Sequence, residues 1–337
     1  MRKVPDQVAP SPHQRHREAA EQWFSSRGLP YFVDDVRTSV KDRLTRPRLV
    51  ALGASALGVG AAAGTATGLA SHDPSSTVLV ALVAASLPLL GYAARALYAG
   101  DVARWTVGRT FSSLGLLVPL VTRALPLLLL FVTFLFINAE VWQVASSLDD
   151  GVLWVAVLLF AAVAVAFLLV RLPEELDMVD DEMTGARLVD ACAGTPLERE
   201  AARCAEELED ADLLALAQVT GLAKANLVLV LLISQALQVL LLSLAMFAFF
   251  VVFGIVAIQA PVIESWTHET PTPFFDALPV LTHELVRVAT FLAAFSGLYF
   301  TVYAVSDETY RSQFFTSLMK QLRRAVGVRT VYRCLAP

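Results

Sequence analysis

Residues 226–258 read NLVLVLLISQALQVLLLSLAMFAFFVVFGIVAI, 33 positions without one Asp, Glu, Lys or Arg. A bilayer's hydrocarbon core is about 30 Å thick and takes about 20 apolar residues as a helix. At about 1.5 Å per residue this segment would be about 50 Å long as one helix. It is therefore read as a membrane span with length to spare, which must tilt, project beyond the bilayer or break. Outward from it, five further apolar blocks cover residues 49–70, 77–97, 124–141, 152–170 and 288–305. The composition agrees: 56% of the chain is apolar and 17% charged, with a mean hydropathy of +0.60. Soluble domains are nearer 45–50% apolar and about 25% charged. The expected fold is an all-α, polytopic membrane helix bundle with about six transmembrane helices and a small cytoplasmic helical portion. A soluble enzyme, a disordered chain and a secreted disulfide scaffold are excluded.

Charge placement orients the bundle. Residues 1–48 carry ten Lys/Arg, 95–123 four, 171–224 five and the tail after Val305 six, which leaves Arg287 as the exception among 26. Cytoplasmic flanks of spans are enriched in Lys and Arg. Both termini are thus expected in the cytoplasm, and for a bacterial chain the membrane is the inner one. The first 48 residues are polar, and the first apolar block starts too late for a signal peptide. Five regions follow: a basic tail 1–48, four spans within 49–170, an acidic link 171–224, two spans within 225–305 with an outer loop 259–287, and a basic tail 306–337.

The link 171–224 holds 14 Asp/Glu against five Lys/Arg. Thr195-Pro196-Leu197-Glu198 reads as a helix start, with Thr195 as N-cap and Glu198 closing a capping box. Leu197, Ala201, Cys204 and Leu208 then line one face, opposite an acidic surface that could take a basic cytoplasmic protein partner. In the first tail, Gly28 and Pro30 end a short helix near 17–27. Trp23, Phe24, Tyr31 and Phe32 cluster at that turn, either at the headgroups or against a cytoplasmic domain. Tyr310–Val326 reads as a basic amphipathic helix, lying on the anionic leaflet or packed on the other cytoplasmic parts. Cys192, Cys204 and Cys334 match no zinc spacing and are expected to stay reduced as small buried thiols.

Three sets of residues inside or beside the spans stand out. Ala56, Gly60, Gly64 and Gly68 repeat every four residues, a small-residue face that lets helix backbones approach closely. Its partner is either another span of the chain or a second copy, which would make a homo-oligomer through the first span. Ser234, Gln235 and Gln238 form a polar face in the long span, as interhelical glue or as the lining of a path. Arg123, between Pro119 and Pro126, is either a mid-membrane charge or an anchor at the inner interface. The spans offer it no carboxylate, which favours the anchor. The same lack, with His13, His16, His72, His268 and His283 all outside the spans, argues against a proton relay.

The outer loop brings His268-Glu269 and His283-Glu284 into one segment without a zincin spacing, and an acidic exposed loop is the simpler reading. No nucleotide, nucleophile-elbow or CxxC motif is present. No enzyme activity, cofactor or nucleic-acid partner is expected; the partner is the lipid bilayer. The stretches WFSSRGLPYF at 23–32, RALP at 123–126 running to FINAEVW at 136–142, and YRSQFF at 310–315 resemble a group of uncharacterised integral membrane proteins of high-GC bacteria. That resemblance implies membrane location and carries no activity or catalytic residue. Two functional classes are left by the residues: a membrane scaffold or signalling and assembly subunit, and a channel or transporter-like pore.

Overall fold

Helices α3 (Arg46–Ser71) and α4 (Pro74–Ala96) form an antiparallel pair, and their contact is built from the small-residue face. Gly60 faces the Ala81 carbonyl and the Ala85 methyl, and Gly64 faces Ala81. Away from that seam the pair presents bare apolar surface, with Leu57 at 75% and Leu69 at 80% exposure. An apolar surface of this extent is a lipid surface.

The computed structural model describes residues 12–71, 74–112, 132–180, 183–306 and 308–335. Its elements in chain order are α1 (Pro12–Ser25), a 3-10 turn (Pro30–Phe32), α2 (Asp34–Arg43), α3, α4, α5 (Ala99–Ser112), α6 (Ala139–Ser146), α7 (Asp150–Asp180), α8 (Gly185–Cys192), α9 (Glu198–Glu207), α10 (Asp210–Ala217), α11 (Gly221–Ala257) and α12 (Ala260–Thr267). A hairpin, β1 (Pro273–Phe275) and β2 (Leu278–Thr282), precedes α13 (His283–Ser306) and α14 (Glu308–Cys334). Five helices among the described residues are long and apolar enough to cross a bilayer: α3, α4, α7, α11 and α13. The chain is an all-α, multi-pass membrane helix bundle. Of the third expected span, 124–141, residues 124–131 lie outside the described residues. Its end is corrected. Helix 132–136 stops at Ile137, and Asn138 caps a new helix, its side-chain oxygen accepting from the Glu140 and Val141 amides at 2.8 and 3.3 Å.

The long segment does not break. Helix α11 runs unbroken for 37 residues, and its first turns project into a helical body formed by the chain's two ends. Asn226, fully buried, accepts from the Tyr31 amide at 3.2 Å and donates to the Gly28 carbonyl at 3.1 Å. Gly28 has φ +70, the left-handed exit expected of it, and the Trp105 ring of α5 sits where a β-carbon would stand. The bundle thus has a terminal end, where α1, α5, α8–α10 and α14 gather, and a distal end. At the distal end Phe136 stacks on Phe250, and Trp142 meets Trp266. Arg287, the exception to the charge asymmetry, donates there to the Ser146 carbonyl at 3.0 Å. A guanidinium at the last turn of α6 favours the negative end of that helix. The outer loop is also corrected: α12 and the hairpin order it, and Glu284 accepts from the amide and hydroxyl of Thr272.

Helix α14 is the axis of the terminal body. Residues 325–332 are buried without a break, so no amphipathic period exists there. This part of the tail packs on α1, α8, α9 and α10, which decides against a surface-lying helix for residues 322–332. The side chains at 304–319, including Phe314, Phe315, Leu318 and Met319, lie outside the described residues.

Candidate functional site

Leu227, Val230 and Leu231 fall on the same stripe of α11 as Ser234, Gln235 and Gln238, at helical spacings of three, one, three, one and three. The outer half of this stripe lines a cavity of about 280 Å³. The inner half is closed. Gln235 is fully buried, Ser234 nearly so, and Gln238 half-buried. Both amide atoms of Gln235, and Oε1 of Gln238, have no hydrogen-bond partner among the described residues. Each buried polar group left unmet costs about 1–3 kcal/mol.

The cavity is walled by segments far apart in sequence. The turn after α1 supplies Trp23 and Arg27, α5 supplies Trp105, and α14 supplies Gln321 and Arg324. The Arg27 guanidinium lies 4.2 Å from the Trp23 ring centroid, a cation–π contact. Arg324 donates through Nη2 to the Ala193 carbonyl at 3.1 Å, which fixes its head at the rim. No acidic side chain is among the described lining residues. The result is a cavity with two guanidinium groups, two indoles and an aliphatic floor where α11 leaves the terminal body.

Below the cavity the terminal body is tightly held. Arg329 is buried and donates through Nη1 to the carbonyls of Leu216, Ala217 and Gln218 at 3.4, 3.4 and 3.0 Å, closing the end of α10. Burial, then the neighbouring Arg333, pulls its pKa down to about 10, so it stays charged at neutral pH. Asp180 accepts from the Val219 amide at 2.9 Å beside it. The Tyr332 hydroxyl donates to Glu21 at 2.8 Å and accepts from Arg17 at 3.0 Å, joining the two chain ends. Cys204 and Cys334 form a disulfide with a Cα separation of 6.7 Å. This corrects the expectation of three reduced thiols; the two residues are 130 positions apart, and nothing in local spacing signals the pair. Cys192 remains free and buried, and burial pushes its pKa up to about 12. The capping box is corrected as well. Leu197 occupies the N-cap position without a side-chain bond, Thr195 donates to the Cys192 carbonyl, and Glu198 accepts from the Gly194 amide.

Ala56, Gly60 and Gly64 are buried, Gly68 is half-buried, and the partner across the seam is α4 of the same chain. A second copy would have to use another surface. Arg123 lies outside the described residues. Among the described residues no three His, Cys, Asp or Glu come together as a metal group. Sequence reading missed Asn226, Trp105, Arg324 and Arg329; the signal for Asn226 was a lone amide at the start of a long apolar run. No family model, curated protein or solved structure matches the chain.

Proposed function

We propose that this protein is a membrane scaffold or signalling and assembly subunit whose working part is the helical body at the terminal end. The observation that carries this reading is the way both chain ends and the acidic link share one core around α14. A rigid body of this kind presents the acidic residues Glu206, Glu207, Glu209, Asp210 and Asp212 on its exposed surface. That surface suits a basic cytoplasmic protein. The Lys/Arg asymmetry supports placing this end in the cytoplasm and the bundle in an inner membrane, and kinship with the bacterial membrane-protein group belongs to the same reading. No catalytic step is part of it.

The pore reading rests on the unmet amide of Gln235 and the unmet Oε1 of Gln238, which suit a polar path. Against it, the lining of the cavity stops at Leu231, one turn short of Gln235. Flux measurements on the full chain in sealed vesicles separate the two. The scaffold reading expects potassium, proton and glycerol fluxes equal to those of protein-free vesicles, and Gln235→Leu to hold or raise stability. A protein-dependent flux that Gln235→Leu abolishes would overturn the scaffold.

A further inference from the structure

We propose that the cavity between Trp23, Trp105 and the outer stripe of α11 is a binding site for a phosphate-bearing amphiphile, the headgroup and first chain methylenes of an anionic phospholipid. Three observations converge. First, Arg27 and Arg324 bring two guanidinium groups to one cavity. Planar guanidinium forks match phosphate oxygens and lose less solvation on binding than an ammonium. Second, the floor is aliphatic. Leu227, Val230 and Leu231, on the turns where α11 leaves the terminal body, present aliphatic side chains to the cavity. A free phosphate would leave that floor wet, whereas an acyl chain covers it. Third, two indoles, Trp23 and Trp105, line the same cavity. Trp is enriched at membrane interfaces because its ring is apolar and its N–H is polar. A volume of about 280 Å³ lies near the lower end of small-molecule sites, about 300–1,000 Å³, which suits a headgroup and not a whole lipid.

The four walls come from α1's turn, α5, α11 and α14. Occupancy therefore ties both chain ends to the span, and binding stabilises the terminal body by mass action.

The test uses the full chain in a neutral maltoside detergent, with Trp fluorescence and thermal unfolding as readouts. The probes are dihexanoyl phosphatidylglycerol, dihexanoyl phosphatidylcholine, glycerol phosphate and inorganic phosphate. Saturable binding of the phosphatidylglycerol is expected, with a Kd at least tenfold below those of the other three probes. Arg27→Gln/Arg324→Gln should weaken it at least tenfold, while Arg187→Gln/Arg199→Gln, which removes two charges outside the cavity, should leave it within twofold. Should the first pair fail to fold, Val230→Trp fills the floor with both arginines kept and should abolish binding. Equal affinity for the two lipids would overturn the proposal, as would binding unchanged in Val230→Trp. Free phosphate binding as tightly as the lipid would overturn the amphiphile and assign the site to a soluble phosphate compound.

Discussion

Replacing Gly60 by Ala tests the close contact between α3 and α4. A β-carbon there would stand 2.9 Å from the Ala81 carbonyl oxygen and 2.9 Å from the Ala85 methyl. Relaxed contacts between carbon atoms begin near 3.5 Å, so α3 and α4 must part by about 0.6 Å, and a gap of about 0.5–1 Å forfeits a quarter to a half of each contact along the seam. Inserting a methyl into a packed seam costs about 1–3 kcal/mol. Helix propensity acts the other way, since Gly in a helix is worse than Ala by about 0.5–1 kcal/mol. Gly58 isolates that second effect, because a β-carbon there meets nothing within 4 Å. Gly58→Ala should equal or exceed the wild type by up to about 1 kcal/mol. Gly60→Ala should fall below Gly58→Ala by about 1–3 kcal/mol. Gly64→Ala, with its nearest neighbour at 3.0 Å, should lie between, and Gly68→Ala, at 3.4 Å, should be near neutral. Unfolding in mixed micelles by increasing dodecyl sulfate, followed by circular dichroism, gives the four values. If Gly60→Ala proves as stable as Gly58→Ala, the seam is not the tight contact described.

Three further outcomes are expected. In sealed cells, a membrane-impermeant thiol reagent should label Ser265→Cys at the distal end and miss Arg199→Cys at the terminal end; the reverse pattern sinks the orientation. In protein purified without reductant, alkylation followed by peptide mass mapping should find Cys204 and Cys334 linked, and reducing them should lower thermal stability, since constraining a long loop is worth roughly 2–4 kcal/mol; quantitative alkylation of both in native, unreduced protein would refute the pair. Cys192 should resist maleimide at pH 8 until the protein unfolds. Its thiol titrates near 12 when folded, above its ordinary range, so the unfolded chain loses the proton first. Stability then falls as pH rises from about 9 toward 12, by about 1.4 kcal/mol per unit more than in Cys192→Ala; equal slopes in the two proteins would show that the thiol is not held in an apolar site.

Sequence legibility followed the physics of each region. Spans declare themselves by length and hydropathy, and α3, α4, α7, α11 and α13 start and stop within a few residues of their apolar blocks, except where α7 and α11 continue as helix into the terminal body. The Gly28 turn was readable because a left-handed exit followed by Pro30 permits little else. The terminal body was readable in pieces but not as a whole. Amphipathic periodicity reveals a helix with one wet face, and it is silent for residues 325–332, which have none. The cavity was invisible for a related reason: its walls are brought together by tertiary packing, and Trp23 and Arg324 carry no local mark of each other. The hairpin at 273–282 went unread because Pro273, Asp276 and Pro279 look like loop.

The burial of α14 fixes an order of events during biosynthesis. Helix α14 follows the five spans found among the described residues, yet α1, α8, α9 and α10 find their common core on it. Phe24, Leu188 and Leu213, each fully buried in the finished fold, therefore stay uncovered while the spans enter the bilayer. Insertion comes first and closure of the terminal body last. A chain stopped ahead of Glu308 would reach the membrane with an open apolar wound, so a surveillance protease could tell finished molecules from interrupted ones by that surface alone.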